Sequence, residues 1–236
     1  MLRCLAAFAL MFVVGLMPQP SIANNVIRLT AQEWPPYQMV AGDGVDGVAA
    51  RVVRCALVRL GFEPKITILP WPQAQQEVRE GRADGFFDAS ENLERDAYAT
   101  LSIPIVPEVR RWYWRHDRVV NVDDRTIAVA VQSGTVMHQW LIENGYKNIH
   151  VVSTIEDLIY LLNSENIDAV FSNQLVFDWN VAISGISMDA FNSLESQEVG
   201  LGVYFRNSYL SEHPGFFQKF NEQAEDCRMS VHLSPE

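Results

Sequence analysis

Basic residues are scarce in this chain of 236 residues. It contains 18 lysines and arginines against 29 aspartates and glutamates, and its formal net charge is −11. Nucleic acids and anionic membrane surfaces are bound through a cationic protein face, which an acidic chain of this kind does not readily form. The composition therefore argues against both as partners.

Signatures of catalysis and of metal binding are also missing. The sequence has no G-x-S-x-G elbow, no Walker loop and no dinucleotide-binding fingerprint. Its histidines do not have metal-ligand spacing with one another or with the cysteines. These histidines are His116, His138, His150, His213 and His232. We therefore expect no metal, no cofactor and no catalytic residue.

The chain lacks a hydrophobic run long enough to cross a bilayer comfortably. The apolar run of residues 5–17 follows Arg3 and precedes the small residues Ser21 and Ala23. This pattern predicts a secretory signal peptide over residues 1–23, cleaved near Ala23, and an uncleaved membrane anchor is the alternative. The mature chain is then expected in the periplasm.

Cysteine is rare, with three residues in the whole chain. Cys4 falls in the predicted signal peptide, which leaves Cys55 and Cys227. In an oxidising compartment an even pair favours a disulfide, and two separately buried thiols are the alternative. A bond between them would place the first and last helices side by side, and closing so long a loop would stabilise the fold by about 3 to 5 kcal/mol.

Strand and helix patterns alternate along the rest of the sequence. The predicted strands span residues 26–31, 64–69, 83–87, 106–115, 126–131, 149–152, 168–171 and 199–205. The predicted helices span residues 48–60, 73–80, 133–144 and 155–163, a further one from residue 173, and 213–227. Such alternation predicts an α/β protein with a mainly parallel sheet in each of two halves.

Residues 81–95, GRADGFFDASENLER, combine a buried strand, a polar loop and the start of a helix. In open α/β sheets, ligands bind outside the carboxyl ends of strands, close to helix N-termini. Arg95 at such a place could bind a carboxylate through two parallel charge-assisted hydrogen bonds. The alternative is a weak surface pair with Glu91, four residues earlier on the same helix face.

Seven short motifs follow one another across nearly all of the chain after residue 23. They are EWPPY at 33–37, DGVDGV at 43–48, PWPQA at 70–74, GRADG at 81–85, SENLER at 90–95, SGT at 133–135 and NIDAVF at 166–171. In this order they resemble the bacterial extracellular solute-binding proteins of family 3, the periplasmic components of polar amino acid ABC importers. The resemblance implies a two-lobed periplasmic-binding-protein clamshell of type II with two hinge crossovers.

The resemblance also implies a domain division and partners. Lobe 1 would comprise residues 24–116 and 205–236 and lobe 2 residues 117–204, with hinges near 115–119 and 196–204. A monomer would capture a small carboxylate or amino acid and deliver it to an ABC permease and ATPase. The alternatives are a ligand-sensing module for a membrane receptor, or a dehydratase-like enzyme in which Asp88 or Glu91 is the acid.

For lobe 1, the resemblance places the carboxylate-binding arginine at Arg95 and a neighbouring hydroxyl ligand at Ser90. Trp34, Tyr37 and Trp71 would line the site with aromatic rings, suited to an apolar or cationic ligand portion. Tyr37 is the better match for the ring that lies over the ligand. Packing in the core is the alternative for these rings.

Lobe 2 contains the position at which this sequence departs from the family. The SGT turn would bind the same carboxylate through backbone N–H groups and Thr135, or Thr135 would simply cap a helix. The family's ammonium-binding aspartate is replaced by Asn173, whose amide cannot neutralise a cation. Asp88 could supply the missing carboxylate, or be a loop or cap residue facing water. The ligand is then an amino acid held differently or a carboxylate without an ammonium group.

Overall fold

A computed structural model describes residues 25–230. The predicted signal peptide, residues 1–23, lies outside the described residues, as does His232. Within the described part of the chain, no helix combines the length and the apolar character needed to cross a membrane.

Strands and helices alternate as the sequence pattern predicts. The strands are β1 (Val26–Ala31), β2 (Met39–Ala41), β3 (Gly44–Asp46), β4 (Glu63–Ile68), β5 (Gly85–Ala89), β6 (Ala99–Leu101), β7 (Val106–Arg115), β8 (Ala128–Gln132), β9 (Asn148–Val152), β10 (Ala169–Asn173) and β11 (Phe191–Arg206). The helices are α1 (Val48–Arg59), α2 (Trp71–Arg79), α3 (Leu93–Asp96), α4 (Val136–Glu143), α5 (Ile155–Asn163), α6 (Gln174–Ile183), α7 (Asn207–Glu212) and α8 (Phe216–Ser230). A short 3-10 helix, Met188–Ala190, precedes β11.

The sheet has a parallel group of three strands at each end and antiparallel strands in the middle. In lobe 1, β1 pairs in parallel with β4 and β5, and in lobe 2, β8 pairs in parallel with β9 and β10. The long strands β7 and β11 run antiparallel to each other between these groups. The α/β prediction is therefore confirmed, although the whole sheet is mixed because both connecting strands are antiparallel to their neighbours.

The first passage between the lobes lies inside β7. Its residues 110–113 pair with β10 of lobe 2, and the Trp112 ring stacks on Phe171 with 4.5 Å between the ring centroids. Pairing with lobe 2 therefore begins at Arg110, whereas the hinge at 115–119 stays a prediction. The aromatic run Trp112–Trp114 is typical of a strand, but only strand pairing shows which neighbouring strands it joins.

The second passage lies inside β11, a strand of 16 residues. Its residues 191–201 pair with β7, whereas residues 203–206 pair with β5 and β6 of lobe 1. A register shift between Gly202 and Val203 marks the change of partner. This change of partner lies within the segment 196–204, where the second hinge stays a prediction.

The last helix returns to lobe 1. Cys227 on α8 forms a disulfide with Cys55 on α1, with 6.0 Å between the Cα atoms, which confirms the pairing predicted from the cysteine count. Phe216 and Phe220 of α8 pack edge-on against the Phe205 ring of β11. The C-terminal helix of the described chain is therefore part of lobe 1.

The loop that follows β1 is fastened to the N-terminus of α1. The backbone N–H groups of Val48 and Ala49 donate to the carbonyls of Pro36 and Tyr37 at 3.1 and 2.9 Å. Gly47 makes this approach possible, because its φ is 121° and a Cβ atom there would lie 2.4 Å from the Tyr37 carbonyl oxygen. The DGVDGV motif at 43–48 therefore holds the EWPPY motif at 33–37 in place.

Candidate functional site

A cleft between the two lobes brings together most of the predicted ligand-binding residues. Its volume is about 420 Å³. Six of the eight predicted residues line it, namely Trp34, Trp71, Asp88, Ser90, Arg95 and Thr135. Further lining residues include Glu33, Glu108, Met137 and Leu201. The two predicted residues that do not line it are Tyr37 and Asn173.

Arg95 is held over the Trp71 ring on the lobe 1 side of the cleft. Its Nε donates to Gln75 Oε1 and its Nη1 to the Ser90 carbonyl, both at 3.0 Å, and its Cζ lies 5.1 Å from the Trp71 ring centroid. Burial lowers the pKa of the guanidinium. No carboxylate within residues 25–230 forms an ion pair with it. A half-buried cation held only by neutral groups can attract an anion.

The sequence around Arg95 explains how its side chain is held. Trp71 and Gln75 lie one turn apart on α2, so that both reach the guanidinium from the same helix face. The Asn92 side chain caps the four-residue helix α3 by accepting from the N–H groups of Glu94 and Arg95. The alternative pair between Arg95 and Glu91 does not form, and Glu91 is exposed outside the cleft.

Thr135 caps helix α4 on the lobe 2 side. Its hydroxyl donates to the Gln132 carbonyl at 2.8 Å and accepts from His138 N at 3.2 Å, as the capping alternative predicts. The N-terminal turn of α4 lines the cleft, and the N–H groups of Val136 and Met137 have no carbonyl partner within the helix. The backbone of α4, rather than the Thr135 hydroxyl, thus offers donors to an anion.

Tyr37 and Asn173 are buried together behind the cleft, with 1% of each residue exposed. Asn173 Nδ2 donates to the Tyr37 hydroxyl at 3.0 Å, and the hydroxyl donates to the Pro107 carbonyl at 3.0 Å. Burial raises the pKa of Tyr37 far above its usual value. From the same motif it is Trp34, packed on Tyr37 with 4.7 Å between centroids, that reaches the cleft.

Asp88 is an acid buried in the wall of the cleft rather than a residue facing water. It is 5% exposed, and neither carboxyl oxygen has a hydrogen-bond partner within the described residues. Burial raises its pKa to about 8, and the nearby Glu108 charge acts in the same direction. Asp88 is therefore mostly protonated at neutral pH in the empty protein.

Glu108, on β7, is a cleft residue that the sequence analysis missed. It is 4% exposed, and its Oε2 accepts from Arg110 Nη2 at 3.2 Å. The Arg110 Nη1 group in turn donates to Gln197 Oε1 at 2.9 Å. Glu108 and Arg110 are two residues apart on a strand, so their side chains lie on the same face. This spacing of opposite charges, next to the aromatic residues 112–114, was the signal in the sequence for an internal ion pair.

Residues suited to a metal ion are not gathered anywhere in the described chain: between residues 25 and 230 there is no group of three or more histidine, cysteine, aspartate or glutamate side chains that could hold one.

Comparison with known proteins rests on structure. No protein-family model and no curated protein sequence matches the chain. A histidine kinase sensor domain with similarity to periplasmic binding proteins is 17% identical with a TM-score of 0.67, covering 88% of this chain and 92% of that chain. The ancestral cationic amino acid solute-binding protein AncCDT-1 is 15% identical with a TM-score of 0.70, covering 87% and 91%. It is also described as a precursor of cyclohexadienyl dehydratase.

A third similar structure is that of ArtJ, the arginine-, lysine- and histidine-binding protein of Geobacillus stearothermophilus. It is 14% identical with a TM-score of 0.62, and 86% of this chain and 90% of that chain are covered. At these identities the likeness establishes the fold. The two-lobed periplasmic-binding-protein clamshell predicted from the ordered motifs is confirmed, and its structural neighbours include amino acid-binding proteins.

Proposed function

We propose that the protein is a periplasmic solute-binding protein that captures a small carboxylate-bearing solute, an amino acid or a related compound, for an ABC importer. One observation carries this proposal: the Arg95 guanidinium, which has no acidic partner among residues 25–230, and the N-terminus of α4 line the same cleft from opposite lobes. Both attract negative charge.

The mechanism is docking followed by closure. The carboxylate binds first to Arg95 and Ser90 on lobe 1, with the Trp34 and Trp71 rings against the rest of the solute. Lobe 2 then closes and adds the N–H groups of α4. Because closure is favoured only by contacts made in the closed state, the α4 contacts set the closed population rather than the initial docking. Strands β7 and β11 connect the lobes and carry the motion.

The cleft volume of about 420 Å³ fits a small solute rather than a macromolecule. Its wall combines two tryptophans with charged groups of both signs. A zwitterion or a carboxylate with a compact side chain satisfies both features.

A thermal-shift screen tests the proposal. The mature protein, unfolded and refolded to strip it of solute, is screened against the twenty L-amino acids, their 2-hydroxy analogues, their C-terminal amides and linear diamines. A solute at one hundred times its Kd stabilises the fold by about 2.7 kcal/mol, which is a shift of several degrees. We expect hits among the carboxylates and none among the amides. Equal shifts from an acid and its amide, or no shift from any carboxylate, would contradict the proposal.

A sensing role is the second candidate, since a histidine kinase sensor domain is among the similar folds. In that case the loaded protein binds a membrane receptor instead of a permease. Uptake of a radiolabelled hit into cells that lack the gene separates the two roles. Impaired uptake supports import, and normal uptake with loss of a transcriptional response supports sensing.

A dehydratase-like enzyme is the third candidate, and the buried acid Asp88 in the cleft is the observation that favours it. Glu91, the other acid considered, lies outside the cleft. Each hit should be incubated with an equimolar amount of protein and followed by proton NMR. We expect the solute to remain unchanged, and the appearance of an unsaturated product would establish the enzyme instead.

A further inference from the structure

We propose that Asp88, beside the negative charge of Glu108, binds the ammonium group of an amino acid, in place of the lobe 2 aspartate that is absent at position 173, and that binding expels a proton from the Asp88 carboxyl group. The inference rests on the proposed function, because the solute's carboxylate is taken to lie at Arg95 and α4. The proposed solutes are then amino acids rather than carboxylates in general.

Three neighbouring strands place the two acids on one wall of the cleft. Asp88 lies on β5 and Glu108 on β7, and β11 runs between them. The register pairs Ala89 with Gly202 and Glu108 with Val199, and Leu201 lies between these two positions along β11. All three side chains line the cavity. The acids belong to lobe 1 and to the crossover strand, so they are in place before lobe 2 closes.

The Asp88 carboxyl group has acceptors that nothing in the described chain uses. Both oxygens are buried without a hydrogen-bond partner, and so is Gln38 Oε1 beside it. A buried carboxylate in this state costs several kcal/mol, so the empty site keeps its proton. The residue is also held at a φ of 65°, in the left-handed region that glycine favours and that aspartate and asparagine tolerate.

The charged groups near Asp88 do not neutralise its carboxylate, so the site can accept one cation. From β7, Glu108 faces it, and that charge is balanced by Arg110. From the loop before β2, the neutral side chains of Gln38 and Tyr37 approach it, and Arg95 on α3 is turned toward Gln75 and Ser90. When the solute's ammonium donates its N–H groups to the Asp88 carboxylate, the Asp88 proton passes to solvent. One positive charge enters and one leaves, so the net charge of the site is unchanged.

Asn173 explains why lobe 2 does not supply this carboxylate. Its amide is occupied by Tyr37 and by the first turn of α6, where Oδ1 accepts from Val176 N at 3.0 Å. An aspartate at position 173 would be a charged group sealed behind the cleft. The ammonium site is therefore placed on the lobe 1 wall, where Asp88 lines the cavity with oxygens that have no partner within the described residues.

Matched pairs of L-amino acids and 2-hydroxy acids test this inference, because they differ only in the ammonium group. We expect each 2-hydroxy acid to bind at least about 100-fold more weakly than its amino acid, since a neutral hydroxyl cannot pair with the Asp88 carboxyl group as an ammonium does. Asp88→Asn, which keeps the size and tolerates the left-handed backbone, should lose most of this preference. Glu91→Gln removes a nearby exposed carboxylate outside the cleft and should retain it.

Calorimetry on the unaltered protein gives a readout that does not depend on a variant folding. The best-binding amino acid from the panel is titrated at pH 7 in buffers of low and high ionisation enthalpy. We expect release of about one proton per amino acid bound, decreasing above pH 8 as Asp88 becomes ionised before binding. Binding heat that is the same in both buffers would overturn the proposal.

The outcomes separate this inference from the function on which it rests. If 2-hydroxy acids bind as tightly as amino acids, the ammonium site is refuted while carboxylate capture stands. If diamines bind, no carboxylate binds, and Asp88→Asn abolishes the binding of the diamines, the ammonium site stands and carboxylate capture is refuted. If no member of the panel binds, both are refuted.

Discussion

Tyr37 and Asn173, 136 residues apart in the sequence, are joined by a hydrogen bond of 3.0 Å between Asn173 Nδ2 and the Tyr37 hydroxyl. The bond connects the loop after β1 in lobe 1 with the start of α6 in lobe 2. The hydroxyl also donates to the Pro107 carbonyl at the beginning of β7. A residue expected to bind ligand is therefore part of the connection between the lobes.

Tyr37→Phe should loosen this connection. It removes the hydroxyl and leaves the Asn173 amide and the Pro107 carbonyl without that partner in a buried place, so we expect a loss of about 1 to 3 kcal/mol in the free energy of unfolding. Urea denaturation measures it. Tyr160→Phe is the matched control, because the Tyr160 side chain is exposed. Equal stability of the two variants would show that the interlobe bond contributes nothing.

Arg95→Ala should abolish carboxylate binding while changing the free energy of unfolding by only about 1 kcal/mol. The guanidinium is bonded to neutral groups alone, so its removal strands no buried charge. Isothermal titration with a hit from the panel measures the affinity. Arg82→Ala removes an arginine that pairs with Glu77 on the surface and should bind normally. Unchanged affinity in Arg95→Ala would refute the assignment.

Asp88 should make the stability of the empty protein depend on pH. Its pKa is raised from 3.8 to about 8 on folding, so the folded state holds a proton that the unfolded state has already lost between these values. Its contribution to stability therefore falls as the pH rises from about 4 to about 8, and is level above that. Urea midpoints at pH 5, 7 and 9 should fall more steeply for the unaltered protein than for Asp88→Asn. Parallel curves would contradict the raised pKa.

Reduction of the disulfide should lower the melting temperature. The bond joins α1 to α8 across a separation of 172 residues. Its loss raises the entropy of the unfolded chain and lowers the free energy of unfolding by about 3 to 5 kcal/mol on the chain-entropy model. Scanning calorimetry with and without dithiothreitol measures the shift. The double variant Cys55→Ser, Cys227→Ser should melt at the reduced temperature and be insensitive to the reductant. Two free thiols in the native protein would rule out the bond.

Much of the fold could be predicted because it depends on local patterns. The predicted bounds of β1, β7 and α5 agree with the structure, since alternating or helically spaced apolar residues encode them directly. The disulfide followed from cysteine count and compartment. The place of Arg95 after a buried strand was also visible, because a strand, a polar loop and a helix start follow one another within 15 residues.

The rest depends on contacts between distant parts of the chain, which no local pattern contains. By itself, the sequence determined the alternation of strands and helices, the cysteine pair and the carboxylate-binding candidate on lobe 1. Only the tertiary structure decided that Tyr37 holds Asn173 away from the cleft, that Glu108 joins Asp88 on its wall, and that β7 pairs with β10 from Arg110 onward. The physical reason is that burial and hydrogen-bond partners, which decide whether a polar side chain is structural or free for a ligand, are set by residues far away in sequence.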